Sequence, residues 1–240
     1  MCSPPDRVRQ TTGVTAAAAR RAFVLRHTRL QPVPGLEEIR LHLADEVLPL
    51  WHAVQVETGD PDTPLPYWAV AWGGGLAVAR YLRDRPEVVT GQRVLDLAAG
   101  SGLCAIAASQ AGASAVIAAD IDAFAAAAIA INARANALRV TVVQRDVIGE
   151  EPPDVDVILA GDCWYEAGLA ARVLPWLRSA EERGIRVVIG DPGRPHLPID
   201  ELVELASYDV RTTTELEDLG LRQGRIYALR ATTASRPTPS

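Results

Sequence analysis

The sequence predicts an α/β fold with a doubly wound, mostly parallel sheet of seven strands and helices on both faces. Helical segments alternate with short β-rich runs from Trp68 onward, and this alternation is typical of parallel strands joined by helical crossovers. Near the carboxyl end, the runs SYDVRTTTELE and GRIYALRA are separated by only a few residues around Leu219 and Gly220. A connection this short predicts an antiparallel hairpin that completes the sheet.

The individual elements are predicted from composition and periodicity. In the front section, VTAAAARRAFVLRHT has a helix-forming composition, and residues 39–43 alternate between apolar and polar side chains as a half-buried strand does. A helix is predicted over WAVAWGGGLAVARYLRD, and further helices are predicted to begin near Gly102, Asp122 and Glu166. The predicted parallel strands are RVLDLA, AVIAAD, RVTVVQR, DVDVILAGD and IRVVIGD.

We expect one domain, because a chain of 240 residues that is 48% hydrophobic can bury one good core. The predicted domain covers residues 13–231, with an N-terminal extension at 13–66 and the alternating core at 67–231. Residues 1–12 and 232–240 are polar and lack a periodic apolar pattern, so we expect both to be disordered.

Composition limits the classes of function. A net charge of −6 and a pI near 5.3 argue against a free-standing nucleic-acid binder, so we expect the partner to be a protein or a small molecule. The sequence does not determine the oligomeric state, and we favour a monomer. Cys2, Cys104 and Cys163 fit neither a disulfide framework nor a metal site, which predicts a reducing cytoplasm. No apolar run is long enough for a membrane span, and no signal peptide is evident. All the positive side chains except histidine are arginine, because the sequence contains no lysine.

The stretch VLDLAAGSGLCAIAA carries the clearest chemical signal, since Gly100 and Gly102 form a turn between a strand and a helix. Glycines let a ligand approach the backbone closely, and the helix that follows offers unpaired N–H groups. The stretch also fits the dinucleotide fingerprint, because Ala105 follows Gly102 by three residues. The glycines alone therefore leave NAD and S-adenosylmethionine open.

Acidic residues after three successive strands favour S-adenosylmethionine. Asp96 lies four residues before Gly100, where an acid can hold the amino-acid part of this cofactor, and the dinucleotide fingerprint requires no such acid. Asp120 ends the next strand, where a carboxylate can accept both ribose hydroxyls, and Asp146 ends the third, in position to meet an adenine amino group. The alternative is that Asp120 or Asp122 only caps the following helix and that Asp146 only terminates an edge strand.

Further motifs extend over most of the chain, from about Ile39 to Pro195. They are PYWAVAWGGGLAVARYL, VLDLAAGSG, ADID at 119–122, GDCWYE, and GDPGRP at 190–195. Together they resemble the seven-strand lysine methyltransferases of class I, and within these the group that acts on the β-subunit of electron transfer flavoprotein. The resemblance implies a Rossmann-like fold, S-adenosylmethionine as cofactor, and methylation of a protein lysine in that subunit or in a ribosomal protein.

The resemblance also implies which residues bind the cofactor. By position these are Trp72, Gly100, Gly102 and Asp120. One departure concerns Ala98, which stands where the family usually has the first glycine of its motif. An alanine is tolerated there if its φ is negative, but its methyl group could crowd the pocket and weaken cofactor affinity.

Asp162 and Tyr165 match the family motif that lies at the target-lysine channel. We expect Trp164 and Tyr165 to wall this channel, where their ring faces attract a cation, and Asp162 to hydrogen-bond the amine. The alternative is that Asp162 caps the helix starting near Glu166 while Trp164 packs in the core.

Two alternative functions stay open at this point. A small-molecule N-methyltransferase of the nicotinamide type is the alternative enzyme, and a non-catalytic module that binds S-adenosylmethionine is the alternative from another class. Residues 52–65 are interpreted as a loop that helps to select the partner. Arg194 either docks an acidic partner surface or is simply solvated.

Overall fold

The computed structural model describes residues 6–211 and 221–231, with side chains at 16–211 and 223–231. The helices are α1 (Asp6–His27), α2 (Val47–Thr58), α3 (Gly73–Asp84), α4 (Leu103–Gln110), α5 (Ala123–Ala135) and α6 (Ala167–Glu182). The strands are β1 (Arg29–Val33), β2 (Leu36–Leu43), β3 (Arg93–Leu97), β4 (Ala115–Asp120), β5 (Thr141–Gln144), β6 (Val157–Gly161), β7 (Arg186–Asp191), β8 (Leu202–Arg211) and β9 (Leu221–Leu229). Seven strands form the central sheet in the order β5-β4-β3-β6-β7-β9-β8, and β1 and β2 form a separate sheet.

The central sheet confirms the predicted fold class. β5, β4, β3, β6 and β7 run parallel, whereas β9 pairs antiparallel with both β7 and β8. β3 is an interior strand between β4 and β6, and Val94, Leu95 and Leu97 are buried on its two faces, as expected for a strand of a parallel sheet that is covered on both sides. From β3 the chain builds outward to β5 and then returns to β6 on the other side, so the topological switch point lies between β3 and β6.

Helices cover the two faces of the sheet and form two apolar cores. On one face, Leu76 of α3, Ile106 of α4 and Ile129 of α5 are buried in the same cluster as the strand residues. On the other face, Val173 and Leu177 of α6 pack in a second cluster. This arrangement confirms the doubly wound architecture.

The antiparallel hairpin β1-β2 packs on α5 through two asparagines. Oδ1 of the fully buried Asn132 accepts the His42 amide at 2.7 Å, and Oδ1 of Asn136 accepts the Arg40 amide at 3.0 Å. Asn132 also donates through Nδ2 to the carbonyl of Ser101 at 2.8 Å. The N-terminal extension is therefore tied directly to the glycine turn that follows β3.

Two predictions for the front section are corrected by the helices there. α1 begins at Asp6, inside the segment 1–12 that was expected to be disordered; residues 6–12 contain neither proline nor glycine to interrupt a helix. Residues 52–65 were expected to be a loop, yet α2 continues to Thr58, because residues 47, 50 and 54 form a buried apolar stripe at helical spacing. Residues 1–5 and 232–240 lie outside the described residues.

At the carboxyl end, β8 and β9 form the predicted hairpin. The connection around Leu219 and Gly220 falls in 212–220, outside the described residues. None of the helices within the described ranges is long and apolar enough to cross a membrane.

The first turn of α3 lies against the backbone of β7 and β9. A Cβ atom on Gly74 would lie 2.3 Å from the carbonyl oxygen of Gly190, and one on Gly224 would lie 2.8 Å from that of Gly73. Only glycine permits this approach. The helix predicted over residues 68–84 consequently begins at Gly73, after a 3-10 turn at Tyr67–Ala69, and its amino end is fixed beside the ends of β6 and β7.

Candidate active site

A large cavity opens at the carboxyl edge of the parallel strands, at the switch point between β3 and β6. Its volume is about 1270 Å³, and its walls come from the ends of β3, β4 and β6 together with parts of α1, α2 and α3. Open α/β sheets place their ligands at this position. The predicted site residues that line the cavity are Trp72, Asp96, Gly100, Asp120, Asp146, Asp162 and Tyr165, whereas Gly102 and Trp164 do not line it.

The turn after β3 contains three residues with left-handed backbone: Ala98 with φ of 52°, Gly100 with φ of 51° and Gly102 with φ of 79°. Gly102 is the N-cap residue of α4, and a Cβ atom there would lie 3.2 Å from Cγ2 of Ile129, so both its conformation and its surroundings require glycine. The condition set for Ala98, a negative φ, is not met. Its left-handed conformation costs about 1–2 kcal/mol for a residue with a Cβ atom, and this exposed residue lines the cavity.

The carboxylate of Asp120 is fixed by two backbone amides. The amide of Gly100 donates to Oδ2 at 2.8 Å, and the amide of Asp122 donates to Oδ1 at 2.9 Å. Asp122 caps α5, since its Oδ1 accepts the Phe124 amide at 2.7 Å. Burial raises the pKa of Asp120, and the two amide hydrogen bonds oppose this rise. Each oxygen keeps a lone pair, so the fixed carboxylate can accept two hydroxyl groups.

Asp96 is buried at the base of the cavity, where only 1% of its surface is exposed. Its Oδ2 accepts the amide of Ala105 in the first turn of α4 at 2.9 Å. Burial raises the pKa of Asp96 to about 7, and the nearby charge of Asp120 adds to this rise. The side chain can therefore change its protonation state near neutral pH.

Asp146 lies two residues beyond β5, because the strand ends at Gln144. The prediction that Asp146 itself ends the strand is therefore wrong by two residues. Its Oδ1 accepts the amide of Ile148 at 2.9 Å, and its Oδ2 forms an ion pair with Arg172 of α6. The side chain lines the cavity, and its contact with adenine stays a prediction.

Ile121 is a cavity residue that sequence reasoning missed. It stands between Asp120 and Asp122 and is 70% exposed. A large apolar side chain this exposed on a cavity wall suits an apolar ligand surface. Its only sequence signal was its position directly after a strand-end acid.

Asp162 is held by α3 and by the loop after β7. Its backbone is left-handed, with φ of 56°, and its amide donates to the carbonyl of Gly190 at 2.9 Å. Its Oδ2 accepts the Gly75 amide at 2.9 Å, and its Oδ1 accepts Nε and Nη2 of Arg194 at 3.0 and 2.7 Å. Burial raises the pKa of Asp162, whereas the charge of Arg194 lowers it. The alternative that Asp162 caps α6 is excluded, because the residue at the cap of α6 is Glu166.

Arg194 contacts two of the predicted site residues. Its guanidinium pairs with Asp162, with the two side chains 18% and 11% exposed, and the guanidinium carbon lies 5.4 Å from the ring centroid of Trp72. Both earlier interpretations of Arg194, docking of an acidic partner surface and simple solvation, are therefore corrected. A planar guanidinium suits this combination of a carboxylate and an aromatic face, and no sequence pattern indicated the contact.

A buried acid holds the loop that carries Arg194. Oδ1 of Asp191 accepts the amides of Gly193 and Arg194 at 2.7 and 2.6 Å. Asp191 is fully buried, and its Oδ2 has no hydrogen-bond partner among the described residues. Burial raises the pKa of Asp191 to about 6.

Three aromatic side chains line the cavity near Asp162. The ring centroid of Tyr67 lies 5.0 Å from that of Tyr165 and 5.7 Å from that of Trp72, and Trp72 donates through Nε1 to the Tyr67 carbonyl at 2.8 Å. Tyr165 is 39% exposed, and burial of its remainder raises its pKa to about 12. Tyr67 was missed because it precedes α3 in a 3-10 turn that the sequence did not predict.

Trp164 does not wall the cavity, so its predicted position is wrong. The side chain is 0% exposed and belongs to the core cluster that includes Val173 and Leu177 of α6. An indole beneath a helix buries far more apolar surface than one at a rim. Its Nε1 has no hydrogen-bond partner in the part of the chain that the structure describes.

The strand order and the cavity define a class I methyltransferase fold. The fold is similar to that of a putative RNA methyltransferase, PH1948 from Pyrococcus horikoshii, with a TM-score of 0.50 and 18% identity over 68% of this chain and 83% of that chain. A family model described as ribosomal protein L11 methyltransferase (PrmA) matches residues 81–161. No group of three or more His, Cys, Asp or Glu residues within the described ranges is arranged to hold a metal ion.

Comparison with relatives over most of the chain defines the family more narrowly. The chain is 38% identical over 222 residues to the electron transfer flavoprotein beta subunit lysine methyltransferase of Xenopus laevis, which covers 89% of this chain and 88% of that protein. It is 40% identical over 168 residues to the Mus musculus protein of the same name, covering 68% of this chain and 66% of that protein. The chain belongs to the electron transfer flavoprotein beta subunit lysine methyltransferase family.

Proposed function

We propose that this protein uses S-adenosylmethionine to methylate lysine side chains of the β-subunit of electron transfer flavoprotein. The observation that carries the proposal is the position of Asp162. It lies in one cavity with the strand-end acids Asp96 and Asp120, and the ring of Trp72 lies beside its ion-pair partner. A cofactor held by Asp96 and Asp120 and an amine guided by Asp162 and Trp72 would meet inside that cavity.

The residues present fit the proposed cofactor. Asp120 can accept two hydroxyls, as a ribose requires, and its carboxylate is already fixed by backbone amides. Asp96 offers a buried acid for an amino group, and Ile121 offers an exposed apolar surface for a base. When bound, S-adenosylmethionine supplies an electrophilic methyl group, which accepts the amine lone pair as its bond to sulfur breaks.

The chain's own contribution is to orient the lysine and remove it from water. Tyr67, Trp72 and Tyr165 surround the approach to Asp162 with aromatic rings, whose faces attract a lysine side chain through its charge and its methylene groups. The amine has a reference pKa of about 10.4 and reacts only when neutral, so partial desolvation in the cavity promotes loss of its proton to water. Positioning then supplies much of the rate.

An exposed entrance favours a protein substrate over a nicotinamide-type small molecule. Tyr165 and Ile121 both line the cavity and are 39% and 70% exposed. A side chain projecting from a protein surface can therefore reach the cavity from solvent. Ribosomal protein L11 is the second candidate substrate, because the family model of its methyltransferase matches residues 81–161.

The sequence makes a methylation assay unusually clean, because the enzyme contains no lysine. The assay combines purified enzyme, radiolabelled S-adenosylmethionine and either electron transfer flavoprotein or ribosomal protein L11. The expected result is label in the flavoprotein β-subunit, located at a lysine by mass spectrometry and lost with Asp162→Ala. Arg186→Gln, at the opposite end of β7, is the control that should retain activity. Label in L11 alone would identify ribosomal protein L11, and not the flavoprotein β-subunit, as the substrate. Tight cofactor binding without methyl transfer would favour a non-catalytic module.

Two further proposals concern the setting in which the enzyme works. Cys104 and Cys163 are buried and free, which supports a reducing compartment such as the cytoplasm. A monomeric state remains a prediction, to be checked by the mass measured in solution.

A further inference from the structure

Arg194 has no role in the proposal above, yet it contacts Asp162 more closely than any other side chain described. We propose that Arg194 is a positioning residue that neutralises Asp162, so that the substrate lysine enters the site in its uncharged form. This inference rests on the proposed function and adds that Arg194 controls the protonation state of the substrate lysine.

The first step in the argument is a count of hydrogen bonds at Asp162. An ionised carboxylate offers about four lone-pair sites. Two N–H groups of Arg194 occupy Oδ1, the Gly75 amide occupies Oδ2, and the Gly74 amide also stabilises the charged form. The carboxylate therefore has little acceptor capacity left for a lysine ammonium, and the earlier assignment of Asp162 as the direct acceptor for the amine is replaced by an indirect role.

The second step is that the Arg194 guanidinium is held in place on several sides. The amide of Arg194 donates to Asp191, which also fixes the preceding Gly193. Its guanidinium lies over the ring of Trp72 and is only 18% exposed in the ion pair. A cation fixed in this way stays beside the carboxylate while the substrate binds, rather than leaving to make room for it.

The third step is the charge that the amine meets. Arg20, Arg145 and Arg172 also line the cavity, but each lies near another acid: Arg172 pairs with Asp146, Arg145 pairs with Glu150, and the charge of Arg20 acts on Asp122. The other ionisable side chains near Asp162 are acids, phenols and thiols. They are Asp96 from β3, Cys104 from α4, Asp120 from β4, Cys163, Tyr165 and Glu166 after β6, Asp191 at the end of β7, and Tyr67 before α3. Without Arg194 the field would be negative and would retain the ammonium proton. With Arg194, the charge of Asp162 is offset and the amine loses its proton to water more readily.

The test measures kcat, which reports ionisations in the enzyme–substrate complex, against pH for wild type, Arg194→Lys and Arg194→Gln at saturating S-adenosylmethionine and saturating peptide. The substrate is a peptide carrying the lysine that mass spectrometry identifies. On the acidic limb of the pH profile the rate rises with the fraction of neutral amine. Arg194→Gln should therefore move this limb to higher pH by about one to two units. Near neutral pH the loss should be about 10- to 100-fold, and it should shrink at high pH. Arg194→Lys retains the charge and should stay within about threefold of wild type.

A second substrate provides an independent readout. A peptide with aminoethylcysteine in place of the lysine has a similar shape and a more acidic ammonium group, because sulfur withdraws electrons. The rates of Arg194→Gln and wild type should therefore converge at a lower pH on this peptide than on the lysine peptide, by the difference between the two amine pKa values. Convergence at the same pH on both peptides would overturn the proposal.

The remaining outcomes also discriminate. A uniform loss at all pH values, or loss of cofactor binding in every Arg194 variant, would show a structural role only. Higher activity of Arg194→Gln at all pH values would show that the arginine competes with the substrate cation. A wild-type enzyme that methylates no lysine would overturn the proposed function itself. If the wild type is active but the acidic limb of the Arg194→Gln profile lies at the same pH as that of wild type, only this inference is overturned.

Discussion

The amide of Gly100 donates a 2.8 Å hydrogen bond to Oδ2 of Asp120, which ties the turn after β3 to the end of β4. Two elements of the proposed cofactor site therefore hold each other in place before any ligand binds. A second amide, from Asp122, occupies the other carboxylate oxygen. Both oxygens must accept hydrogen bonds for this arrangement to persist.

Asp120→Asn should lower the affinity for S-adenosylmethionine by about 10- to 100-fold. The side-chain NH2 group of asparagine would face one of the two backbone amides, so two donors would meet and neither would have an acceptor. Isothermal titration calorimetry measures the affinity directly. Asp122→Asn is the matched control: it removes the same charge two residues away and keeps an equally good cap for α5. Equal losses in the two variants would show that net charge matters and the position of Asp120 does not.

Ala98→Gly should stabilise the protein. The left-handed conformation at φ of 52° costs an alanine about 1–2 kcal/mol, and the greater freedom of glycine in the unfolded chain returns about half of that. The expected net gain is about 0.5–1 kcal/mol, or a Tm increase of about 1–4 °C for a chain of this size, measured by thermal unfolding.

Ala137 provides the control for this effect, because it is an exposed alanine with φ of 56° after α5 and lies outside the cavity. Ala137→Gly should raise the Tm by a similar amount and leave cofactor affinity unchanged. Ala98→Gly should raise cofactor affinity as well, if the methyl group narrows the pocket. A lower Tm for both variants would contradict the assigned backbone strain.

Asp191→Asn should flatten the pH dependence of stability. Burial raises the pKa of Asp191 to about 6 in the folded protein, above the reference value of about 3.9. Between these values the folded state binds the proton more tightly, so the free energy of unfolding falls as pH rises, by up to ~1.4 kcal/mol per pH unit. Asparagine keeps an acceptor for the Gly193 and Arg194 amides and does not titrate. Urea unfolding between pH 4 and 6 should show a shallower fall for the variant, and identical slopes would contradict the assignment.

Tyr165→Ala should weaken binding of the protein substrate while leaving cofactor affinity intact. The side chain supplies an exposed aromatic wall 5.0 Å from the ring of Tyr67, and its removal should raise KM for the substrate about 10-fold or more. Tyr165→Phe retains the ring and should keep most of the activity. A phenylalanine variant as impaired as the alanine variant would transfer the role from the ring to the hydroxyl group.

Trp164→Ala should act on stability. A fully buried indole contributes about 3–5 kcal/mol relative to alanine, so the variant should unfold at much lower urea concentration. Trp164→Phe keeps most of the volume and removes an Nε1 donor that has no partner among the described residues, so its loss should be smaller. The KM for the substrate should be unchanged in the phenylalanine variant. A large increase in KM would indicate that Trp164 contributes to the substrate channel after all.

The sheet was predictable from sequence because its signals are local. β3, β4, β6 and β7 are rich in apolar residues, although β3 contains Asp96, and strands buried on both faces have that composition. α2 was missed because its apolar stripe is short and is followed by turn-forming residues. β1 was missed because it is only five residues long and contains Pro32.

The site was predictable only where its residues are neighbours in the chain. The glycine turn and its acids follow from strand-turn-helix order. The ion pair of Asp162 and Arg194 joins residues 32 positions apart, and it forms because Gly161 and Gly190 share a register between β6 and β7. The direction of Trp164 depends on the left-handed backbone at Asp162, which no periodicity encodes. Long-range pairing and local backbone reversals therefore mark the limit of sequence reasoning here.

The position of β9 has a consequence for synthesis on the ribosome. β9 is translated after β8 but lies between β7 and β8 in the finished sheet. A nascent chain that has not yet released residues 221–229 leaves the outer edge of β7 open, next to the loop that carries Arg194. Among the described strands, the one carrying Gly224, which touches the first turn of α3, is thus the last to join the sheet. Catalytic competence should accordingly arise only after residues 221–229 have left the ribosome, which protects the cell from a partly built enzyme that consumes its methyl donor.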